Sequence, residues 1–348
     1  MEDNQHLAIG HKISNHYEII KVLGQGGFGI VYLVKDIERL DSLFVIKELF
    51  LKELSYRSRD ETTVYNRKER KKLSIKVKKD IKDEVIILSE ISNKNIVQAY
   101  GYIEENNTIY SIMEYIDGID LEKYLENNIF TEEDATELLL QLINGLEEIH
   151  SKNIIHRDIK PNNIIKDKNG IYKIIDFTTN RTYTDNSITT VTGFNNPLYT
   201  PPELSSNKKS IIGNFSDIYS LGMTIYRVLS KEELPNLTDR LFDDTEKKSK
   251  FQKNIEDLEC SLNFKKIITK MTNLRPEDRF QNLEELKISL SEKKDDISKI
   301  KEIYKTVSVS EDISTVDIFS FDNIIKFLKG IVFVLFIVLL IVFIYLKI

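Results

Sequence analysis

Two stretches of the sequence combine residue types and spacings that could do chemistry on phosphate. Gly24–Gly29 has glycines in the order G-x-G-x-x-G, and glycine lets backbone N–H groups approach phosphate oxygens without a Cβ in the way. His156–Asn163 places a carboxylate, a lysine and an amide, at Asp158, Lys160 and Asn163, within six residues. Each signal is weak alone, because dinucleotide folds share the glycine spacing and isolated Asp or Asn residues are usually turn residues.

The elements around the glycines favour a strand–turn–strand arrangement. Apolar and polar residues alternate from Tyr17, and a second β-rich run, Ile30–Val34, follows the glycines directly. A dinucleotide fold would have a helix there, so that alternative is disfavoured. The next predicted strand, Leu43–Lys47, ends in a lysine. Such a lysine is usually a solvated rim residue, but this one follows the glycines by about one hairpin and so could reach nucleotide phosphates.

One helical pattern lies before Gly118, and helical patterns dominate the chain after it. Ile81, Val85 and Leu88 have helical spacing, and Thr131 with Asp134 three residues on predicts a helix start. The region before Gly118 is therefore mainly strand, and the region after it mainly helix.

Taken together and in order, the motifs make the chain resemble the eukaryotic-type (Hanks-type) serine/threonine protein kinases, in a bacterial-like and membrane-anchored form. The ordered motifs are Gly24–Val31, Lys47, Glu84, His156–Asn163, Asp176-Phe177, Pro201-Pro202-Glu203, Asp217 and Arg279. Any one could arise by chance, but the whole set in sequence is specific.

The resemblance implies an α+β, two-lobed fold followed by a C-terminal transmembrane helix. The kinase domain would cover residues 17–290, with a β-rich N-lobe at 17–116 and a helical C-lobe at 117–290. The remaining segments would be an N-terminal tail at 1–16, a juxtamembrane linker at 291–326 and the transmembrane helix at 327–348.

The same resemblance implies transfer of the γ-phosphate of ATP to protein Ser or Thr hydroxyls, with Mg²⁺ as cofactor and Mn²⁺ as an alternative. In that reaction Asp158 would accept the hydroxyl proton and Lys160 would approach the γ-phosphate. Asn163 and Asp176 would bind the metal ions. The chain would also phosphorylate itself.

The resemblance assigns ATP binding to the glycine-rich loop, the lysine and its partner carboxylate, and the walls and hinge of the adenine site. These residues are Leu23, Gly24, Gln25, Gly26, Gly27, Phe28, Gly29, Val31, Val45, Lys47, Glu84, Met113, Glu114, Ile116 and Ile165. Asp217, Glu203 and Arg279 would be structural, with Glu203 pairing with Arg279 to brace the C-lobe.

Two positions depart from the family pattern. Thr178 replaces the glycine usual after Asp176-Phe177, and Asn196 replaces a threonine common on the substrate side. They support an alternative, a membrane-bound pseudokinase scaffold that binds nucleotide without efficient transfer. A small-molecule kinase of the same fold is disfavoured by Lys160 and by Pro201-Pro202-Glu203.

Two charged or polar segments leave alternatives open. The basic cluster Arg67–Lys72 is either a solvated surface or a docking site for acidic lipid or an acidic partner. The segment between Phe177 and Pro197 is either a polar loop or an activation segment phosphorylated at Thr189, Thr190 or Thr192. The long insert between Lys47 and Glu84 is similar to that of one bacterial subgroup of these kinases.

Composition and the C-terminal segment set the expected partners and location. The net charge of −6 gives no support to nucleic-acid binding. Ile331–Leu346 contains sixteen residues without a charge, and residues 327–348 as a helix would span about 33 Å, enough for the hydrocarbon core. We therefore expect a single-pass C-terminal anchor that contacts membrane lipid, a cytoplasmic kinase domain and protein substrates, with dimerisation left open.

Overall fold

The part of the chain described by this computed structural model lies mostly before residue 292. It comprises residues 5–39, 42–52, 54–58, 60–67, 71–177, 198–205, 212–230, 234–243 and 249–291. Contacts group Met1–Glu292 into one compact unit.

The first lobe is built on an antiparallel sheet. Its strands, with those of a separate hairpin, are β1 (Lys12–Ile13), β2 (Tyr17–Gln25), β3 (Gly29–Asp36), β4 (Leu43–Leu49), β5 (Ser55–Arg57), β6 (Val64–Asn66), β7 (Ala99–Glu105) and β8 (Thr108–Glu114). The six-stranded sheet has the order β1-β2-β3-β4-β8-β7, and β5 pairs only with β6. Alternate residues of β3, namely Ile30, Tyr32 and Val34, are fully buried, as expected where one face of a sheet is covered.

One long helix, α1 (Lys71–Ser89), completes the first lobe. Its buried positions Val77, Ile81, Val85 and Leu88 recur at helical spacing and pack into the main core. The predicted helix before Asn95 is thus confirmed, and it carries Glu84 on its buried side.

The second lobe is mainly helical, with one small sheet. Its helices are α2 (Leu121–Leu125), α3 (Glu132–Ser151), α4 (Pro202–Ser205), α5 (Asn214–Leu229), α6 (Leu237–Asp243), α7 (Lys250–Glu256) and α8 (Leu262–Met271), and α9 covers 283–291. Strands β9 (Gly118–Asp120), β10 (Ile164–Asp167) and β11 (Tyr172–Ile174) form a sheet of order β11-β10-β9. Thr131 and Asp134 form the expected capping box at the start of α3. The predicted two-lobed architecture is confirmed.

The residues before Tyr17 contact the sheet of the first lobe. Leu7 and Ile13 are fully buried in the same cluster as Ile30 and Tyr32. The backbone N–H of Gly10 donates to the carbonyl of Ile19 at 2.8 Å. The segment predicted as an N-terminal tail therefore covers one face of the sheet.

Among the residues that the structure describes, no helix is long and apolar enough to span a bilayer. The predicted linker beyond residue 291 and the predicted transmembrane helix at 327–348 lie outside the described residues. Their prediction stays untested.

Candidate active site

The predicted catalytic side chains meet on one turn between α3 and β10. Lys160 Nζ lies 3.0 and 2.7 Å from the two carboxylate oxygens of Asp158. Asn163 Nδ2 donates to the backbone carbonyl of Asp158 and to its Oδ2, both at 2.8 Å. Asn163 ends the short 3₁₀ turn Pro161–Asn163, which brings its amide back over Asp158. Two donors thus fix the orientation of one carboxylate that is still 19% exposed.

A buried carboxylate on α5 holds this turn in place. Asp217 is fully buried and accepts hydrogen bonds from the backbone N–H groups of His156 at 2.8 Å and Arg157 at 2.7 Å. His150 Nε2 lies 2.8 Å from the same carboxylate. Burial alone would raise the pKa of Asp217, but the hydrogen bonds from His150 and the backbone hold that pKa below its ordinary value. Asp217 therefore stays ionised and helps keep Arg157 in the left-handed region, at φ 68°.

His156 connects the catalytic turn to the segment that carries Asp176. Its Nε2 lies 3.1 Å from the carbonyl oxygen of Ile175, and its Nδ1 accepts from the N–H of Asp158 at 3.3 Å. Its ring packs edge-on against Phe177 with centroids 4.6 Å apart. Burial lowers the pKa of His156, which agrees with a neutral ring that accepts at Nδ1 and donates at Nε2.

Lys47 reaches across the cleft to the second predicted metal ligand. Its Nζ lies 2.5 Å from Oδ1 of Asp176, and the two side chains are 12% and 35% exposed. Asp176 has a left-handed backbone, with φ 65°. Glu84 is only 3% exposed on α1. Its pairing with Lys47 stays a prediction.

Asn163 and Asp176 together fit a hard divalent cation. Both supply oxygen atoms, the ligand type that Mg²⁺ prefers, and Mg²⁺ usually keeps waters and substrate phosphates as its other ligands. The N–H of Ile175 donates to the carbonyl of Asn163 at 2.9 Å, which fixes the spacing between the two residues. Within the described ranges no group of three or more His, Cys, Asp or Glu side chains could hold a metal ion. The oxygen atoms of Asn163 and Asp176, with phosphate and water as further ligands, match what Mg²⁺ prefers.

The glycine-rich loop joins β2 to β3 as predicted, and its glycines differ in what they allow. A Cβ on Gly29 would lie 2.4 Å from the backbone oxygen of Glu48, so this position needs glycine. A Cβ on Gly24 would meet nothing within 4 Å. The N–H of Gly26 donates to the carbonyl of Gly29 at 2.9 Å and closes the turn. Leu23, Gly24, Gln25 and Gly26 are exposed, whereas Gly27 and Phe28 are half-buried.

The residues predicted to line the adenine site lie on the four strands β3, β4, β8 and β10. Val31 is paired with Lys47, and Val45 is paired with Met113. Ile165 lies on β10 of the second lobe. The half-buried members of this group are Val31, Val45, Met113 and Ile165. Partial exposure is what the walls of an open cleft require.

Glu114, predicted to lie in the hinge, has an ion-pair partner that was not predicted from the sequence. Lys173 Nζ on β11 lies 2.7 and 2.8 Å from the two carboxylate oxygens of Glu114, at the end of β8. The N–H of Gln98 donates to the same carboxylate at 2.8 Å. Ile116, the other predicted hinge contact, is 9% exposed. An ion pair therefore joins the two lobes beside the hinge, and a lone lysine in a short strand gave no sequence signal for it.

Glu203 and Arg279 form the predicted brace of the second lobe. Arg279 Nη1 and Nη2 lie 2.7 and 3.0 Å from the two carboxylate oxygens of Glu203, and the arginine is 2% exposed. Arg279 also donates to the carbonyls of Asn273, Leu274 and Phe215. This bidentate geometry is the strong form of the interaction.

Several predicted features fall outside the described residues. These are Thr178, Asn196 and the threonines at 189, 190 and 192. The expected phosphorylation of this segment stays a prediction.

Comparison with known proteins agrees with the fold. The protein kinase domain family matches residues 17–291. The serine/threonine-protein kinase Nek5 of Mus musculus is 34% identical over 218 residues, covering 62% of this chain and 31% of that protein. The serine/threonine-protein kinase PrkC of Bacillus subtilis is 31% identical over 229 residues, covering 64% and 32%. The chain thus spans about a third of the length of these curated relatives.

A solved structure shows the same fold. The apo form of PpkA-294 matches with a TM-score of 0.70 at 24% sequence identity, over 82% of this chain and all of that one. The chain belongs to the protein kinase domain family. Its catalytic domain is of the protein-serine/threonine kinase class, the class of the named relatives in mouse and Bacillus subtilis.

Proposed function

We propose that this chain transfers the γ-phosphate of Mg-ATP to Ser or Thr hydroxyls of proteins, itself included, while tethered to a membrane by its C-terminal hydrophobic segment. The observation that carries the proposal is the constraint on Asp158. Lys160 and Asn163 orient its carboxylate, and Asn163 is also bonded to the backbone beside Asp176.

The arrangement suits phosphoryl transfer, which depends on positioning and on neutralising charge more than on covalent chemistry. Asp158 holds a substrate hydroxyl and accepts its proton. Lys160, now bonded to Asp158, lies where its charge can move to the transferring phosphoryl group. Lys47 binds the nucleotide phosphates, and exchange of its contact with Asp176 for phosphate frees that carboxylate for metal.

Asn163 and Asp176 would hold the magnesium ion. When bound, Mg²⁺ neutralises phosphate charge. Asn163 serves two purposes in this scheme, because its amide nitrogen positions Asp158 and its amide oxygen would bind the metal ion. Loss of this one side chain would therefore disturb both the base and the cation.

Membrane tethering rests on sequence alone. The uncharged run Ile331–Leu346 follows Lys326 and Lys329, and positive charge on the kinase side favours a cytoplasmic domain. Deletion of residues 330–348 should release the protein from membranes. After centrifugation without carbonate extraction, the truncated chain should be in the supernatant. Retention of the truncated chain in the membrane pellet would refute a tether that depends on this segment.

The catalytic part of the proposal is tested with the full chain, labelled ATP, Mg²⁺ and a basic protein as acceptor. Asp158→Asn should abolish transfer to the acceptor and to the chain itself while retaining ATP binding. The matched control is Asp257→Asn, which changes an exposed carboxylate at the C-cap of α7 that is not a predicted site residue. ATP binding without transfer in the unmodified chain would overturn the enzyme and leave the pseudokinase scaffold.

A further inference from the structure

The insert between Lys47 and α1 is attached directly to the glycine-rich loop. After β4, the N–H of Phe50 donates to the carbonyl of Phe28, and the N–H of Lys52 donates to the carbonyl of Gly27, both at 3.0 Å. These are backbone bonds to the tip of the predicted phosphate-binding loop. Because Phe50 is fully buried, this end of the insert has little freedom to move away from that loop.

The other end of the insert is attached to α1 through a chain of side chains. The N–H of Leu51 donates to Ser55 Oγ at 3.2 Å, and Ser55 Oγ donates to Asn66 Oδ1 at 2.8 Å. Asn66 Nδ2 then donates to Ser74 Oγ on α1 at 2.8 Å. Ser55 and Ser74 are 8% and 6% exposed, so water competes little for these bonds.

A buried ion pair fixes the insert to the strand that carries Lys47. Arg57 Nη2 and Nη1 lie 2.5 and 3.0 Å from the two carboxylate oxygens of Glu48, the residue after Lys47. The side chains of Arg57 and Glu48 are 5% and 0% exposed. The hydroxyl of Tyr32 on β3 donates to the same carboxylate at 2.8 Å. The charge pair thus joins the hairpin to the middle of the sheet.

A fourth attachment lies at the β7–β8 turn. The N–H of Val64 donates to the carbonyl of Asn106 at 2.8 Å, and Asn107 Nδ2 donates to the carbonyl of Val64 at 2.7 Å. Lys78 of α1 donates to the carbonyl of Asn107 at 2.6 Å. The insert is therefore fastened to the glycine-rich loop, to β4, to the β7–β8 turn and to α1.

We propose that the insert, residues 50–67, is a brace that sets the position of the glycine-rich loop relative to α1, with Asn66 as its positioning residue. The brace connects the loop over the nucleotide phosphates to the helix that carries Glu84. Displacement of either end therefore shifts the other, and the nucleotide grip depends on residues that never touch the nucleotide. The consequence for ATP rests on the proposed function, whereas the mechanical coupling does not.

The test compares Asn66→Ala and Ser74→Ala with Tyr65→Ala in the full chain. The first two remove the same hydrogen bond from opposite sides, whereas Tyr65 is a 45% exposed side chain of the same strand and serves as the control. We expect faster amide hydrogen exchange at residues 24–29 and 71–89 in the nucleotide-free protein for both Asn66→Ala and Ser74→Ala. We expect the ATP KM to rise roughly fivefold, with the KM for the protein acceptor unchanged.

Two further comparisons separate positioning from folding. The double variant should match Asn66→Ala, because that substitution alone already removes the bond to Ser74. Asn66→Asp keeps the acceptor for Ser55 Oγ, and its second carboxylate oxygen can accept from the Ser74 hydroxyl, which then becomes the donor. This variant should restore slow exchange and the normal ATP KM. Exchange that increases only within residues 54–66, with the ATP KM unchanged, would overturn the brace. If the chain transfers no phosphate at all, the proposed function fails while the exchange measurement still decides the coupling.

Discussion

Asn163 donates from a single amide nitrogen to both the backbone carbonyl and the carboxylate of Asp158, at 2.8 Å each. This double contact fixes the carboxylate relative to its own main chain. Because the carbonyl of Asn163 also accepts from Ile175, the same residue sets the distance between the catalytic turn and Asp176. Asn163, which is 6% exposed, therefore connects the catalytic turn to the segment that carries Asp176.

Replacing Asn163 should reduce catalysis far more than it reduces stability. Asn163→Ala removes the donor to Asp158 and one predicted metal oxygen, and we expect kcat to fall about 100-fold with a higher Mg²⁺ requirement. Transfer rates measured over a Mg²⁺ titration check this. Asn162→Ala, which changes the neighbouring exposed amide, is the matched control and should behave like the unmodified chain. Equal rates for the two variants would remove Asn163 from the mechanism.

Replacement by alanine should lower kcat/KM for ATP much more at Gly29 than at Gly24, the last and first glycines of the loop. Gly29→Ala would place Cβ 2.4 Å from the Glu48 carbonyl and must displace β3 from β4, next to Lys47. We expect kcat/KM for ATP to fall on the order of 100-fold. Gly24→Ala meets no atom within 4 Å in the protein and should cost much less. Steady-state kinetics over ATP concentration distinguish the two, and a larger loss for Gly24→Ala would contradict the geometry.

Stability should decrease on acidification because of His156. Burial lowers the pKa of His156 in the folded state, whereas the unfolded imidazole titrates near about 6.5. The contribution of His156 to the free energy of unfolding is fully present above about pH 6.5. It is lost as the pH falls toward the folded pKa, with a limiting slope of about 1.4 kcal/mol per pH unit. Urea unfolding between pH 5 and pH 8 measures this slope. His156→Phe, which keeps an aromatic ring against Phe177, should flatten it, and an unchanged slope would assign the effect to other groups.

The Glu203–Arg279 pair should be costly to break and sensitive to geometry. Arg279→Met leaves the Glu203 carboxylate buried without its charge partner, and we expect a loss of about 3–5 kcal/mol in the free energy of unfolding. Arg279→Lys keeps the charge but cannot form the bidentate contact. Its free energy of unfolding should therefore lie between those of Arg279→Met and the native chain. Urea denaturation orders the three proteins. A lysine variant as stable as the native chain would show that charge alone is sufficient.

The sequence could predict the order of elements because the relevant signals are local. The alternation along β2 and β3, the helical spacing of Ile81, Val85 and Leu88, and the Thr131–Asp134 capping box all operate within one strand or one helical turn. Motif order could likewise locate Asp158, because the family pattern is a pattern in sequence.

The insert shows what such reasoning does not reach. No sequence pattern singled out Arg57, which is buried against Glu48 beside the hairpin strands β5 and β6. Charge predicts exposure only when no partner is available, and a partner nine residues away on another strand is not visible in composition. The burial of Leu7 before the matched family region was missed because a single apolar residue carries no periodic signal.

By itself the sequence determined the family, the two-lobed class and the candidate site residues, since each depends on residue type and spacing along the chain. Apart from the predicted Glu203–Arg279 pair, only the tertiary structure decided which of those side chains meet. Lys47 and Asp176 are 129 residues apart in sequence, yet Lys47 Nζ lies 2.5 Å from Asp176 Oδ1. Glu114 and Lys173 form an ion pair although 59 residues separate them in sequence. Which side chains pair depends on how the two lobes pack. That packing depends on the whole buried core rather than on any one segment.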